Sequence, residues 1–173
     1  MESKKIGGIN IYSGNLEMAV SDFILAVYSA NDFNSFRISA TSAHGFVEAW
    51  FDETFKDILN SSYCNLPDGL PIVWLGKIFR VYSMKRCYGP SFFRNVILLT
   101  KNMSITHFFC GGKPGVSLKL KETVNLWGNL NVVGTFTPPY GEMSKLEWDK
   151  LLCQINNENP FAKPGTNLPQ MPR

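Results

Sequence analysis

Histidine is scarce in this chain, with two in 173 residues. The four cysteines, Cys64, Cys87, Cys110 and Cys153, include no Cys-x-x-Cys pair. Zinc clusters need several such ligands at close spacing, so a zinc site is not expected. The thiols read as reduced cysteines of a cytosolic protein. Cys87 follows Arg86, and a neighbouring cation can activate a thiol, but an ordinary buried thiol is the expectation. Long apolar runs are missing too. The run from Leu70 stops at Lys77, well short of the roughly 20 residues a spanning helix needs. The charged start Met1-Glu2-Ser3-Lys4-Lys5 leads into no short apolar core with a cleavage site. A soluble or at most peripheral protein is expected. A large charge imbalance is also lacking. The net charge of +3 is too mild to argue for nucleic acid. No Gly-x-Gly-x-x-Gly follows the first strand and no Gly-Lys-Ser/Thr closes a phosphate loop, which counts against a nicotinamide-dependent oxidoreductase and a P-loop enzyme.

What the chain does have is a core. Hydrophobic residues make up 45% of it, and the length suits one domain. Residues 8–12 alternate as a short first strand. Leu16, Ala19, Val20, Phe23, Ile24 and Val27 recur at helical spacing, and 31–35 breaks that helix. Strands are expected at 36–40, 63–66, 105–110 and 130–135. Helices are expected at 45–50, from Asp52 or Glu53, at 72–79, at 91–102, from 116 to about Trp127, and at 144–156. Ser144 and Glu147 have capping-box spacing. Strands alternating with helices predict an α/β fold, a Rossmann-like mostly parallel sheet with flanking helices. That domain spans 1–158. Residues 159–173 carry Pro160, Pro164, Pro169, Pro172 and Gly165 without periodicity and read as an extended or disordered tail.

Chemistry in open α/β sheets sits at the carboxyl ends of strands. Asp68 occupies such a place, in Leu66-Pro67-Asp68-Gly69-Leu70-Pro71, between a strand and an apolar helix. As a helix cap it has an ordinary structural role. A helix amino end also favours the carboxylate, and a carboxylate there can serve as a base. Thr41 ends the preceding strand; if the two strands are neighbours it lies at the same sheet edge, where it either caps the next helix or touches substrate. His44, inside that turn, is structural by default, with catalysis the minority reading. Gly111-Gly112-Lys113-Pro114-Gly115-Val116 follows a buried strand and can present backbone N–H groups and a cation to a phosphate. Lys77, Arg80, Lys85 and Arg86 form a basic cluster near Asp68 in sequence. A solvated face is its plain explanation, except that Arg86 lies in a folded-looking context and suits bidentate phosphate recognition. His107, inside a strand, is expected to be satisfied there. These residues describe a nucleotide- or phosphate-binding domain with one candidate base.

Five segments carry a resemblance. They are 40–49 (Ala40-Thr41-Ser42-Ala43-His44-Gly45 and onward), 66–74 around Asp68, Arg86-Cys87-Tyr88-Gly89-Pro90, 109–116 and Val132-Val133-Gly134-Thr135. In order and approximate spacing, over 8–157, the chain resembles the WecG/TagA/CpsF glycosyltransferases of bacterial cell-surface polysaccharide synthesis. The resemblance implies transfer of a sugar, often N-acetylmannosamine, from a UDP-sugar to a polyprenyl-diphosphate-linked saccharide. It implies Asp68 as base, Thr41 as a substrate contact, Arg86 offsetting diphosphate charge, and the turn with Gly111, Gly112, Lys113 and Gly115 facing UDP. It implies no metal, and a place at the cytoplasmic membrane face. Family members continue past the 144–156 helix into a further strand, a Gly-rich turn and more helices, whereas here Asn159-Pro160-Phe161-Ala162-Lys163-Pro164-Gly165 takes that place. A shortened end would expose a sheet edge and apolar surface. It leads one to expect lower stability or self-association, and gives an alternative function: an inactive or weakened UDP-sugar-binding fragment.

Overall fold

The computed structural model describes residues 1–29 and 36–158. The expected break at 31–35 and the proline-rich segment 159–173 lie outside the described residues.

The chain starts with a hairpin where the sequence suggested one strand. β1 (Ser3–Ile6) pairs antiparallel with β2 (Ile9–Tyr12), Ser3 opposite Tyr12 and Ile6 opposite Ile9. Gly7 and Gly8 make the turn at φ +56° and +86°, a conformation that a two-residue hairpin loop favours and glycine adopts without strain. The charged Lys4 and Lys5 disguise β1 as a tail. They are exposed on a strand whose only buried residue is Ile6, and lysines on an edge strand discourage pairing with other chains.

The described residues fall into two compact units, 1–29 with 36–96, and 97–158. In the first, α1 (Leu16–Ser29) follows the hairpin. β3 (Ile38–Thr41) then pairs in parallel with β4 (Cys64–Pro67), from Ile38 opposite Cys64 to Thr41 opposite Pro67. Between them run α2 (Ala43–Phe51) and α3 (Glu53–Asn60). Each has a side-chain cap: Ser42 accepts from Gly45 N at 3.3 Å and Asp52 from Phe55 N at 3.0 Å. All four residues of β4 are buried, so the strand is sealed on both faces. One core cluster joins the hairpin isoleucines to Phe46, Leu59 and Ile72; another joins Tyr12, Ala19, Leu66 and Cys87.

Asn65 is the polar member of β4 and is 2% exposed. Its Nδ2 donates to Asn10 O and to Leu59 O, both at 2.8 Å, tying β2 and the end of α3 to β4. Its Oδ1 has no partner among the described residues. Asn65→Leu removes two satisfied contacts and relieves one orphan, each worth about 1–3 kcal/mol. The net expected loss is about 2 kcal/mol of unfolding free energy, read from urea denaturation.

α4 (Leu70–Ile78) follows β4, and α5 (Gly89–Thr100) begins in the first unit, its residues from Ile97 belonging to the second. The sequence read α4 as buried. Only one face is: Ile72, Val73 and Gly76 are buried, whereas Leu70, Trp74 and Ile78 are exposed.

The second unit holds β5 (Thr106–Cys110), α6 (Val116–Asn125), β6 (Asn131–Phe136) and α7 (Lys145–Glu158). β5 and β6 are parallel, with a register irregularity between His107 and Phe108. Ile97, Phe109, Val124, Leu130 and Val132 form its core. The capping box of α7 is as expected: Ser144 N donates to Glu147 Oε2 at 2.7 Å and Glu147 N to Ser144 Oγ at 3.4 Å. Mixed α/β structure with parallel strand pairs and flanking helices is the predicted fold class.

Candidate functional site

The carboxyl ends of β3 and β4 lie side by side in the first unit. Asp68 leaves β4 there, and its N–H donates to Thr41 O at 3.2 Å, prolonging the ladder by one bond. Asp68 does not cap the helix that follows it. Gly69 is the cap residue of α4 and supplies no side-chain bond. The Asp68 carboxylate turns instead to the amino end of α5, where Oδ1 accepts from Gly89 N at 2.8 Å. The favourable helix-end field expected for Asp68 therefore comes from a helix 21 residues away in sequence. Oδ2 has no hydrogen-bond partner among the described residues, so one carboxylate oxygen is held and the other is available.

Residues 85–89 are pinned across the same strand ends. Lys85 N donates to Gly14 O at 3.0 Å and Cys87 N to Pro67 O at 2.9 Å. Arg86 Nε donates to Asp68 O at 2.7 Å, and its guanidinium stacks 4.6 Å from the centre of the Tyr88 ring. Both contacts fix the side chain while leaving terminal N–H groups for an anion. Cys87 is the ordinary buried thiol expected; burial pushes it up to about 11. Neighbouring Cys64 is pushed up to about 12, chiefly by burial.

Gly89 has to be glycine for this arrangement. A Cβ there would lie 2.9 Å from the Ala40 Cβ. Gly89→Ala is expected to cost about 1–3 kcal/mol through overpacking and to pull the N–H away from Asp68. A lower urea midpoint together with weakened catalysis is the expected reading.

Thr41 is 3% exposed and its hydroxyl lies 3.1 Å from Ser39 Oγ. It does not cap α2, because Ser42 takes that place. Its backbone carbonyl contributes by orienting Asp68. His44 is largely exposed on the first turn of α2, with Nε2 3.3 Å from Glu48 Oε1 one turn on.

Gly111, Gly112, Lys113 and Gly115 form the turn between β5 and α6 in the second unit. Gly111, Gly112 and Gly115 have φ of +124°, +79° and +85°, values that side-chain-bearing residues rarely adopt. Gly111 N is engaged with Phe136 O at 2.9 Å. The N–H groups of Gly112, Lys113 and Gly115 bond to no backbone carbonyl among the described residues. Lys113 is exposed and makes no ion pair among them. Added Cβ atoms at Gly111 and Gly115 would meet nothing within 4 Å, so those glycines serve backbone conformation rather than tight packing. Ser117 Oγ, in the first turn of α6, lies 3.1 Å from Thr137 Oγ1 beyond β6. An open depression of about 700 Å³ lies at the other end of these strands, lined by Asn102, Ser104, Asn129, Asn131 and neighbours. None of the expected site residues lines it.

The sequence reading gave Gly89, Tyr88 and Ser39 no role of their own. Tyr88 and Gly89 entered only within the segment 86–90 that carries the resemblance, and nothing in a single sequence pairs Gly89 with Asp68.

Within the first unit, parallel strands with an anchored acid and a stacked arginine at their carboxyl ends are an arrangement of the open α/β class. Within that class, the model of the Glycosyl transferase WecG/TagA/CpsF family matches residues 4–161. The chain belongs to this glycosyltransferase family. Comparison with curated proteins gave no match. No helix among the described residues is long and apolar enough to cross a membrane.

Proposed function

We propose that residues 1–158 act as a glycosyltransferase domain that moves a sugar, N-acetylmannosamine or a related hexose, from a UDP-sugar to a polyprenyl-diphosphate-linked saccharide. The reaction serves cell-surface polysaccharide synthesis at the inner face of the plasma membrane. Asp68 takes the proton of the acceptor hydroxyl as its oxygen bonds to the anomeric carbon. The bond from that carbon to the diphosphate oxygen breaks, and UDP leaves with the electron pair. Arg86 offsets the charge that develops on the diphosphate; Lys113 and the free N–H groups of the Gly111–Gly115 turn, in the second unit, are a phosphate-binding candidate in their own right. Thr41 and His44 are substrate contacts, Thr41 through the strand end it shares with Asp68. No metal or other cofactor takes part in this scheme.

One observation carries the reading: the Asp68 carboxylate is anchored through one oxygen by Gly89 N at 2.8 Å and open at the other, beside Arg86. A base needs a fixed position and a free lone pair. The test offers labelled UDP-N-acetylmannosamine and related UDP-sugars with a soluble analogue of the polyprenyl-diphosphate acceptor. Labelled product is expected. UDP binding without product would make the chain an inert UDP-sugar-binding fragment. Failure to bind any UDP-sugar would overturn the reading.

A further inference from the structure

The depression at the amino ends of β5 and β6 is lined by carboxamides and by no charged side chain among the described residues. Asn102, Asn125, Asn129 and Asn131 all line it, and all four are exposed. Ser104 adds a hydroxyl, and Met103 and Leu130 add apolar surface. Its volume of about 700 Å³ lies within the range of small-ligand sites, about 300–1,000 Å³.

These amides hold nothing in the fold together. Asparagine side chains commonly serve nearby backbone, as Asn15 does by accepting from Met18 N at 2.9 Å. Asn60 likewise accepts from Asn10 N at 2.9 Å and donates to Gly8 O at 3.0 Å. The side chains of Asn102, Asn125, Asn129 and Asn131 make no hydrogen bond among the described residues. Asn102 has a backbone reason for its identity: it is left-handed, at φ +64°, just past the end of α5, a conformation asparagine tolerates. Asn131 has none, since it opens β6 and asparagine is disfavoured in strands. The rim that carries them is preformed. Asn102 N donates to Asn129 O at 2.9 Å, Gly128 N to Asn125 O at 3.4 Å and Val132 N to Leu130 O at 3.0 Å. Helices α5 and α6 both end at this rim, at Thr100 and Asn125. A helix carboxyl end is partly negative and presents unpaired carbonyls, which disfavours an anion and favours an O–H donor.

We infer that this depression is a binding site for a neutral saccharide. Every sugar hydroxyl both donates and accepts, and every carboxamide does the same, so a cluster of unbonded amides matches a row of hydroxyls. Met103 and Leu130 supply apolar surface for the C–H face of a pyranose ring. A phosphate site would want cations or helix amino ends, and a divalent metal would want carboxylates; the depression has neither. Open α/β sheets place their chemistry at the carboxyl ends of strands, so a saccharide at the amino ends is held there and not transformed. The inference stands on the second unit alone and does not rest on the transfer reaction assigned to Asp68.

The experiment is an NMR titration of the isotope-labelled 173-residue chain, reading backbone and asparagine side-chain amides. The probes are the neutral trisaccharides triacetylchitotriose, mannotriose and maltotriose, with end-blocked trialanine as the peptide control. Saturable shifts confined to residues 102–104 and 125–131 are expected with at least one trisaccharide. Asn125→Ala combined with Asn131→Ala should weaken that binding by about tenfold or more, the loss expected from two hydrogen bonds. Both side chains are exposed and unbonded, so signals from the rest of the chain should keep their positions in the variant, showing that it folds. Asp68→Asn should bind the trisaccharide as the unaltered chain does, so this inference and the transfer reading fail separately. Four results would overturn the inference: no saturable shift with any trisaccharide, shifts centred on other residues, undiminished binding by the folded double variant, or trialanine binding as tightly as the sugars.

Discussion

Asp68→Asn is expected to lower kcat for sugar transfer by about 10²- to 10⁴-fold, the range a positioned general base contributes, with UDP-sugar binding little changed. Asparagine has nearly the same shape, and its side-chain oxygen can still accept the Gly89 N–H that now meets Asp68 Oδ1 at 2.8 Å. The tether, the strand ends and the Arg86 contact to the Asp68 carbonyl all survive. Only the capacity to take a proton is lost. Asp68→Ala makes the complementary change: it removes the base and leaves the first N–H of α5 without its acceptor, which adds a stability loss of about 1 kcal/mol. The pair separates two roles. If Asp68 is the base, both variants are inactive and only alanine is destabilised. If asparagine transfers at the wild-type rate while alanine fails, Asp68 positions α5 and does no chemistry. Single-turnover product formation, with binding measured independently by calorimetry, distinguishes these outcomes.

How far each feature was legible follows from the sequence distance over which it is built. Ser144 and Glu147 are three residues apart, and the capping box they form could be read directly. Asp52 as a helix cap and the strand-to-helix turn at Asp68 are equally local. Thr41 was read as a cap for the next helix, and only the backbone decides that its neighbour Ser42 takes that place. The partner of Asp68 is 21 residues away. Local rules assigned its carboxylate to the nearest helix, and tertiary packing delivered a different one. The parallel pairing of Thr41 with Pro67 was legible only as a condition, that the two strands be neighbours. β1 was missed because hydropathy marks strands by their buried face, and three of its four residues are exposed. The outer face of α4 was misread for the opposite reason. An apolar helix is usually buried all round, and sequence alone does not show that one side here is left uncovered.

The second unit is expected to lose stability in mild acid, with His107 as the main source. The side chain is 4% exposed within β5, with Nε2 3.0 Å from Thr100 Oγ1. Burial lowers its pKa from 6.5 to about 4. Between those values the unfolded chain binds a proton that the folded chain refuses. Stability is therefore fully present above about pH 6.5 and falls as pH drops toward 4. At about 1.4 kcal/mol per pH unit, the loss amounts to about 3 kcal/mol. Acidic side chains titrate near the lower end of this window, so the His107 contribution is identified by where the loss begins. A decline starting near pH 6.5 belongs to a histidine; one starting below 5 belongs to carboxylates. Hydrogen exchange at the β5 amides, compared with β4 amides in the same samples, reads the second unit without mixing it with the first. Replacing His107 by glutamine lowers stability at neutral pH, where the imidazole is well accommodated, but removes the protonation and should flatten the slope between pH 6.5 and 5. An unchanged slope in His107→Gln would move the acid sensitivity elsewhere in the unit.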